Sequence, residues 1–291
     1  MRYFSMFSGI GGFELGIGNK AECIGYSEID KYAIQIYQRH FNHKNYGDCV
    51  AINPDELPDF DLLVGGFPCQ SFSIAGKRGG FEDTKGTLFF EIARIVKVKR
   101  PRLLLLENVK GLLSHDKGNT FATIIATIDE LGYDCQWQVL NSKNFGVPQN
   151  RERVFIVGHL RGTPRPKVFP IEGINTGFIK IVNQARHSTN RVQSIKGIAR
   201  TIRSEAGGKG AKTGLYQVAP TLRATDYKRG DNQTTVAEDG MKIRRLTPLE
   251  CERLQGFPDG WTVGVSDTQR YKCLGNAVTV NVIKAIMEKL L

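Results

Sequence analysis

The sequence has no long hydrophobic run, and this absence excludes whole classes of protein. No apolar stretch approaches the roughly 18 residues that a membrane span needs. The first ten residues, MRYFSMFSGI, lack the apolar core and the small-residue site of a secretory signal. We therefore expect a cytoplasmic protein that is neither secreted nor bound to a membrane.

Cysteine is scarce and irregularly spaced. The six cysteines form no Cys-x-x-Cys pair, which argues against a zinc site and against a disulfide framework. One His-x-x-His pair, His40 and His43, has no second cluster that would complete a metal site. We predict that the protein binds no metal.

Positive charge, in contrast, is abundant and unevenly placed. The net charge is +11, and residues 176–245 hold 14 Lys and Arg against 5 Asp and Glu, so nine of the eleven charges fall within 70 residues. A basic solvated face is the simplest explanation of such a segment. Its concentration favours a polyanionic partner, and nucleic acid is the class that fits best.

Apolar segments alternate between strand and helix patterns over the first 160 residues. This alternation predicts an α/β fold with a doubly wound, mostly parallel sheet and helices on both faces. The predicted strands are RYFSMF, AECIGYSEID, FDLLVGG, PRLLLLENV, CQWQVLNS and RERVFIVGHL. Three prolines in RGTPRPKVFP break the pattern, so we predict that a large domain over 1–170 ends there. Residues 171–268 are predicted to form a smaller basic domain that is mainly β and irregular. The C-terminal segment 269–291 is predicted to return to the first domain.

A glycine-rich turn, FSGIGGFELG, follows the first strand. Gly9 and Gly11 match a dinucleotide fingerprint, but Glu14 stands where the third glycine belongs and disfavours a pyrophosphate. Glu28 ends the second strand, where a carboxylate can accept from both ribose hydroxyls, and Asp48 can accept from an adenine amino group. Adenosine without phosphates indicates S-adenosylmethionine rather than NAD.

A cysteine and a glutamate follow two other strands. Cys69 lies in the loop GGFPCQSFS, and Glu107 follows LLLL, the most apolar strand. Burial would raise the pKa of that carboxyl so that it stays protonated. Arg151 and Arg153, in QNRER, would favour the thiolate of the cysteine. A thiolate, a proton donor and a methyl donor suit methylation of cytosine at carbon 5, because addition at carbon 6 with protonation of nitrogen 3 makes carbon 5 nucleophilic.

Six ordered motifs resemble those of the cytosine-5 DNA methyltransferase family of the bacterial restriction-modification type. They are FSGIGGF, GGFPCQSFS, ENV, QNRER, RRLTPLECERLQGFP and LGNAVTVNV. The resemblance covers nearly the whole chain and makes 171–268 a target-recognition domain. It implies that S-adenosyl-L-methionine is the cofactor and S-adenosyl-L-homocysteine its product, and that the target cytosine is flipped out of double-stranded DNA.

Site residues are carried over from the resemblance position by position. Cys69 would be the nucleophile and Glu107 would protonate cytosine, while Arg151 and Arg153 would bind the target phosphate and pyrimidine with support from Gln149. The cofactor residues implied are Phe7, Ser8, Gly9, Gly11, Gly12, Glu28, Ile29, Asp48, Cys49, Pro68, Leu88, Asn276, Ala277 and Val278. Ile29 stands where several relatives have an aromatic residue beside the adenine.

DNA contacts are predicted at Ser73 and in a repeated element of the basic domain. IARTIR and VAPTLR share a pattern at a spacing of 20, so either Thr201 with Arg203 or Thr221 with Arg223 matches the family's base-reading element. The second is nearer the family form, and its arginine would contact guanine or phosphate.

Three functions remain open from the sequence. The first is a bacterial or phage-encoded DNA methyltransferase, expected to be a monomer, whose pairing with a cognate restriction endonuclease the sequence leaves undecided. The second is a tRNA cytosine-5 methyltransferase, disfavoured because that branch has a short recognition region. The third is a DNA-binding homologue without activity, which the intact Cys69, Glu107, Arg151 and Arg153 argue against.

Overall fold

The computed structural model describes residues 1–68, 88–173, 192–194, 199–200, 215–218, 235–236, 242–244 and 246–291. Contacts within the chain divide it into two compact units. The first comprises Met1–Asn141, Glu152–Glu172 and Val278–Leu291, and the second comprises Ser142–Arg151 and Gly173–Ala277. No helix within the described residues is long and apolar enough to span a membrane.

A six-stranded sheet forms the centre of the first unit. Its strands, in spatial order, are β2 (Glu22–Ser27), β1 (Arg2–Met6), β3 (Leu62–Gly66), β4 (Leu103–Val109), β7 (Glu152–Leu160) and β5 (Tyr133–Asn141). Only β7 runs antiparallel to the others. The predicted α/β fold with a mostly parallel sheet is confirmed.

Helices cover both faces of this sheet. They are α1 (Gly12–Ile17), α2 (Lys31–Tyr37), α3 (Leu88–Lys99), α4 (Asn119–Glu130) and α7 (Val280–Leu290). Strand side chains alternate between faces, so Phe4 and Met6 join the apolar core with residues of α3 and α4. The helices α1 and α7 pack together so closely that a Cβ on Gly16 would lie 2.5 Å from the Cβ of Ile283.

In its described residues, the second unit has short strands and two α-helices. Its strands are β6 (Gln149–Asn150), β8 (Val192–Ser194), β9 (Ala199–Arg200), β10 (Leu215–Val218), β11 (Thr235–Val236) and β12 (Lys242–Arg244). Four of them form a sheet in the order β11-β12-β10-β8, and β6 pairs with β9. The helices are α5 (Pro248–Gln255), which begins with a Thr247–Glu250 capping box, and α6 (Asp267–Asn276).

Candidate active site

The candidate site of the first unit begins where four neighbouring strands end. Met6 is paired with Ser27 on one side and with Gly65 on the other. Gly66 is paired with Glu107. The segments that follow β1, β2, β3 and β4 therefore leave the same edge of the sheet, which is where open α/β sheets bind their ligands.

The glycine-rich turn after β1 has a backbone that most residues cannot adopt. Gly9 and Gly11 have φ angles of +56° and +86°. A Cβ on Gly11 would also lie 2.5 Å from the ring of Phe41, whereas a Cβ on Gly9 would meet nothing within 4 Å. Gly9 is thus required by its backbone conformation, and open space lies beside it.

Glu28 organises this turn with three hydrogen bonds. Its Oε2 accepts from the backbone N–H of Gly9 at 2.9 Å, and its Oε1 accepts from those of Ile29 and Asp30, each at 2.8 Å. The carboxylate at the end of β2 is therefore held rigidly against the glycine turn that follows β1.

Asp48 and two apolar side chains lie on neighbouring connections. Asp48 Oδ1 accepts from the backbone N–H of Val50 at 3.0 Å, and the buried Cys49 offers its carbonyl to Arg94 Nη2 at 2.9 Å. Ile29 is 70% exposed and Val50 is 60% exposed. Two large apolar side chains are thus exposed beside the two carboxylates that were predicted to bind adenosine.

These features fit an adenosyl group. Exposed apolar side chains suit a purine ring, and a fixed carboxylate suits ribose hydroxyls. Among the residues that the structure describes, no group of three or more His, Cys, Asp and Glu is placed to hold a metal.

Glu107 lies at the end of β4 and is held by an arginine. Arg153 Nε, on the adjacent β7, is 3.0 Å from Glu107 Oε1, and both side chains are largely buried. A Cβ on Gly66 would lie only 3.1 Å from Glu107 Oε2 and 3.9 Å from Val278 Cγ1. The structure therefore brings together Glu107 and Arg153, two of the residues that were predicted to handle cytosine.

Asn108 is a site residue whose role the sequence did not specify. It is buried, and its Nδ2 donates to the carbonyl of Phe67 at 2.8 Å, while its Oδ1 accepts from the N–H of Val109. Phe67 directly precedes the Pro-Cys pair, so this amide anchors the start of the predicted nucleophile loop. In the sequence, its position next to Glu107 was the feature that could have indicated that Asn108 belongs to the site.

Arg151 and Gln149 lie in the second unit, where both are fully buried. Gln149 Nε2 donates to the carbonyl of Leu254 at 2.9 Å. Arg151 is 2% exposed, and its Nη2 donates to the carbonyls of Gly275 and Ala277 at 3.0 and 2.8 Å. Their hydrogen bonds to backbone carbonyls are thus those of residues that hold a fold in place.

The remaining predicted residues are partly within the described chain. Pro68 is exposed, Leu88 begins α3, Asn276 is exposed, and Ala277 and Val278 are buried. The predictions that fall outside the described residues are those for Cys69, Ser73, Thr201, Arg203, Thr221 and Arg223.

The carboxyl of Glu14, in α1, is also buried, which the sequence did not predict. Glu14 is fully enclosed, and neither of its oxygens has a hydrogen-bond partner in the described part of the chain. Burial raises its pKa to about 7, and interactions with Ser5 and Tyr37 offset this only in part. Tyr37 in turn shares a 2.8 Å hydrogen bond with His43 Nδ1.

Comparison with known proteins places the chain in a family. The family model for C-5 cytosine-specific DNA methylase matches residues 1–291. The chain belongs to this family. The type II methyltransferase M1.ScrFI of Lactococcus lactis subsp. cremoris is 42% identical, over 100% of this chain and 78% of that protein. The type II methyltransferase M.HhaI of Haemophilus parahaemolyticus is 36% identical, over 98% and 93%.

Solved structures with low sequence identity share the fold. A DNMT2 variant from Spodoptera frugiperda has a TM-score of 0.74 at 19% identity and covers 99% of both chains. The Dnmt2 methyltransferase of S. pombe has a TM-score of 0.71 at 17% identity, covering 100% of this chain and 98% of that one. The chain therefore shares its fold with these two proteins.

Proposed function

We propose that this member of the family is a sequence-specific DNA cytosine-5 methyltransferase of the type II restriction-modification kind. The relatives matched along the full chain are named type II methyltransferases, and the basic composition of 176–245 suits a DNA partner. The single observation that carries the proposal is the Glu107–Arg153 pair at the edge of the sheet where the Pro-Cys loop begins.

The glycine turn and its neighbours would bind the methyl donor. Glu28 would meet the ribose, Asp48 the adenine amino group, and Ile29 and Val50 the purine ring, in keeping with their exposure. The backbone of Phe7 to Gly12 would approach the donor closely, and Val278, in the same unit, would contribute to the site. S-adenosylmethionine supplies an electrophilic methyl group when it is bound.

The residues at the ends of β3 and β4 would act on the flipped cytosine. The Cys69 thiolate would add to carbon 6 as Glu107 gives a proton to nitrogen 3, which would make carbon 5 nucleophilic. Carbon 5 would then gain the methyl group as the bond between that group and the donor sulfur breaks, which leaves S-adenosylhomocysteine. A base then removes the carbon-5 proton, the thiolate leaves carbon 6, and nitrogen 3 returns its proton to Glu107. Arg153 would hold Glu107 in position for both transfers, and Asn108, which donates to the carbonyl of Phe67, would fix the residue after which the Pro-Cys loop begins.

Thr221 with Arg223, or Thr201 with Arg203, would contact the target sequence, with Ser73 contributing from the nucleophile loop. The basic segment within 171–268 would serve as the target-recognition domain. We expect a monomer, and an endonuclease for the same DNA site would be its partner in the host.

A trapping experiment tests the chemistry. Duplex DNA that carries 5-fluorocytosine at the target should form an adduct that survives denaturation, because fluorine cannot leave as a proton does. Bisulfite sequencing of mixed-sequence DNA after incubation with the methyl donor first identifies the target. Cys69→Ser should abolish both methylation and trapping.

Matched controls make this result specific. Cys135→Ser changes a partly buried thiol on β5 and should trap DNA as the wild type does. Trapping by Cys69→Ser at the wild-type level would refute the assignment of the nucleophile. Methyl transfer to tRNA but not to duplex DNA would refute the assignment of the substrate.

A further inference from the structure

A short extended segment, residues 44–46, lies alongside β2 in the first unit. The backbone N–H of Tyr26 donates to the carbonyl of Lys44 at 2.9 Å, and that of Tyr46 donates to the carbonyl of Tyr26 at 2.7 Å. The segment thus runs parallel to the strand and carries the chain toward the edge of the sheet where Glu28 lies. Its side chains are therefore within reach of the carboxyl end of β2.

Asn45, in the middle of this segment, bonds to the backbone of two separate connections. Its Oδ1 accepts from the N–H of Glu28 at 3.3 Å and from that of Gly47 at 2.9 Å. Its Nδ2 donates to the carbonyl of Glu28 at 3.1 Å. One half-buried amide therefore ties the residue that bears the first carboxylate to the residue that precedes Asp48.

A second side chain holds Gly47 through its other backbone group. Ser27, the last residue of β2, is 2% exposed, and its Oγ donates to the carbonyl of Gly47 at 2.7 Å. Gly47 has a φ angle of +71°, so the chain bends there in a conformation that favours glycine. With its N–H bonded to Asn45 and its carbonyl bonded to Ser27, Gly47 is held on both sides. These two hydrogen bonds fix the point from which Asp48 begins.

Asp48 is an exposed carboxylate that follows this fixed point. Its Oδ1 accepts from the N–H of Val50 at 3.0 Å, which limits its rotation. Val50 and Ile29, which are close in the chain to the two carboxylates, are 60% and 70% exposed and offer apolar contact to a flat ring. An ionised carboxylate can only accept hydrogen bonds, so at the rim of a purine it favours an amino group over a carbonyl oxygen. A carboxylate held in this way is suited to distinguishing adenine from hypoxanthine.

We infer that Asn45 and Ser27 are positioning residues that make the donor site selective for adenine. They hold Gly47, and through it they set the direction of Asp48 relative to Glu28. The inference rests on the proposed function, in which Glu28 meets the ribose and Asp48 the adenine amino group. It adds two polar residues that act through Asp48 to those that serve the reaction.

The binding of two ligands in the absence of DNA tests the inference. They are S-adenosylhomocysteine and its inosine analogue, in which an oxygen replaces the adenine amino group, and calorimetry on the full chain gives both affinities. The wild type should prefer the adenosyl ligand roughly tenfold, the size of one hydrogen bond to a charged group. This preference should fall by roughly threefold or more in Ser27→Ala and in Asn45→Ala, because both release Gly47. Asn45→Ala should also weaken the binding of both ligands, because it releases Glu28 as well.

Two matched variants separate positioning from general stability. Tyr133→Phe removes another buried hydroxyl that donates to a backbone carbonyl of the first unit, that of Pro101. Asn53→Ala removes another asparagine whose Oδ1 accepts from a backbone N–H, that of Asp55. Both variants should keep the preference of the wild type for the adenosyl ligand.

A double variant shows whether the effect passes through Asp48. Asp48→Ala alone should lose the preference, and adding Ser27→Ala to it should change the ratio of the two affinities no further. Binding of the inosine analogue reports in each variant that the donor site is folded. If Asn45→Ala does not fold, Ser27→Ala, which removes a single hydrogen bond to Gly47, still gives the decisive ratio.

The opposing outcomes are distinct. An unchanged preference in Ser27→Ala and Asn45→Ala would overturn the inference, even if both ligands bound more weakly, because an equal loss is a purely structural effect. Equal binding of the two ligands by the wild type would also overturn it, since Asp48 would then not distinguish the two purines. Wild-type protein that binds neither ligand would instead refute the proposed function.

Discussion

Replacing Glu14 with glutamine should make the protein more stable at alkaline pH and leave its stability at acid pH nearly unchanged. The carboxyl is enclosed between α1 and the sheet without a hydrogen-bond partner in the described residues, and its pKa is raised from an ordinary 4.5 to about 7 by burial. Glutamine has the same size and no charge. The substitution therefore removes the ionisation and little else.

The sign and the size of the effect follow from proton linkage. Between pH 4.5 and pH 7 the unfolded chain releases the Glu14 proton while the folded chain keeps it, so stability falls as the pH rises through this range. Above pH 7 the full cost is present. At 1.36 kcal/mol per pH unit it amounts to about 3 kcal/mol at most. For a chain of this size we expect an unfolding temperature higher by roughly 5 °C in Glu14→Gln at pH 8.5.

Thermal unfolding of wild type and variant from pH 5 to pH 9 provides the measurement. The two curves should meet near pH 5 and separate progressively up to about pH 8. Glu22→Gln, which changes an exposed carboxyl on the neighbouring β2, should run parallel to the wild type throughout. Parallel curves for Glu14→Gln would show that this carboxyl carries no burial cost, and the reasoning from its enclosure would be wrong.

Two further predictions concern the proposed chemistry. Gly66→Ala should lower kcat roughly tenfold and leave KM for the donor nearly unchanged. The new Cβ would lie 3.1 Å from Glu107 Oε2 and would displace that oxygen by a few tenths of an ångström. Single-turnover kinetics at the wild-type rate would contradict this prediction. Asn108→Ala should lower kcat and cost about 1–3 kcal/mol of stability, because the buried carbonyl of Phe67 loses its donor. Urea unfolding and trapping on 5-fluorocytosine DNA measure the two effects, and unchanged trapping would exclude a role for Asn108 in anchoring the loop.

Much of the first unit was predictable because its strands are local and strongly apolar. LLLL of β4 and LLV of β3 could be assigned from residue type alone, and the place of Glu107 near a strand end followed directly. The reversed direction of β7 was not predictable. It depends on the pairing of Glu107 with Phe155, a contact across 48 residues that no local pattern specifies.

The environments of the buried polar groups could not be predicted from the sequence either. Glu14 was recognised only as a residue that replaces a glycine, and its enclosure depends on Tyr3 and Tyr37, which come from two other elements. Arg151 was grouped with Arg153 because the two share a motif. The carbonyls that Arg151 contacts lie 124 and 126 residues away, so only a folded structure could separate the two arginines.

The alternation of side chains along extended backbone explains how the motif QNRER serves separate tasks. In extended backbone, every second side chain points to the same side. Gln149, Arg151 and Arg153 follow this spacing and are buried or half-buried, whereas Asn150 and Glu152 between them are exposed. Gln149 donates to the carbonyl of Leu254 in α5, and Arg151 donates to carbonyls at the end of α6. Arg153 pairs with the carboxylate of Glu107 in β4. The spacing of the motif therefore matters as much as its residue types, because a shift by one residue would expose all three of these groups at once.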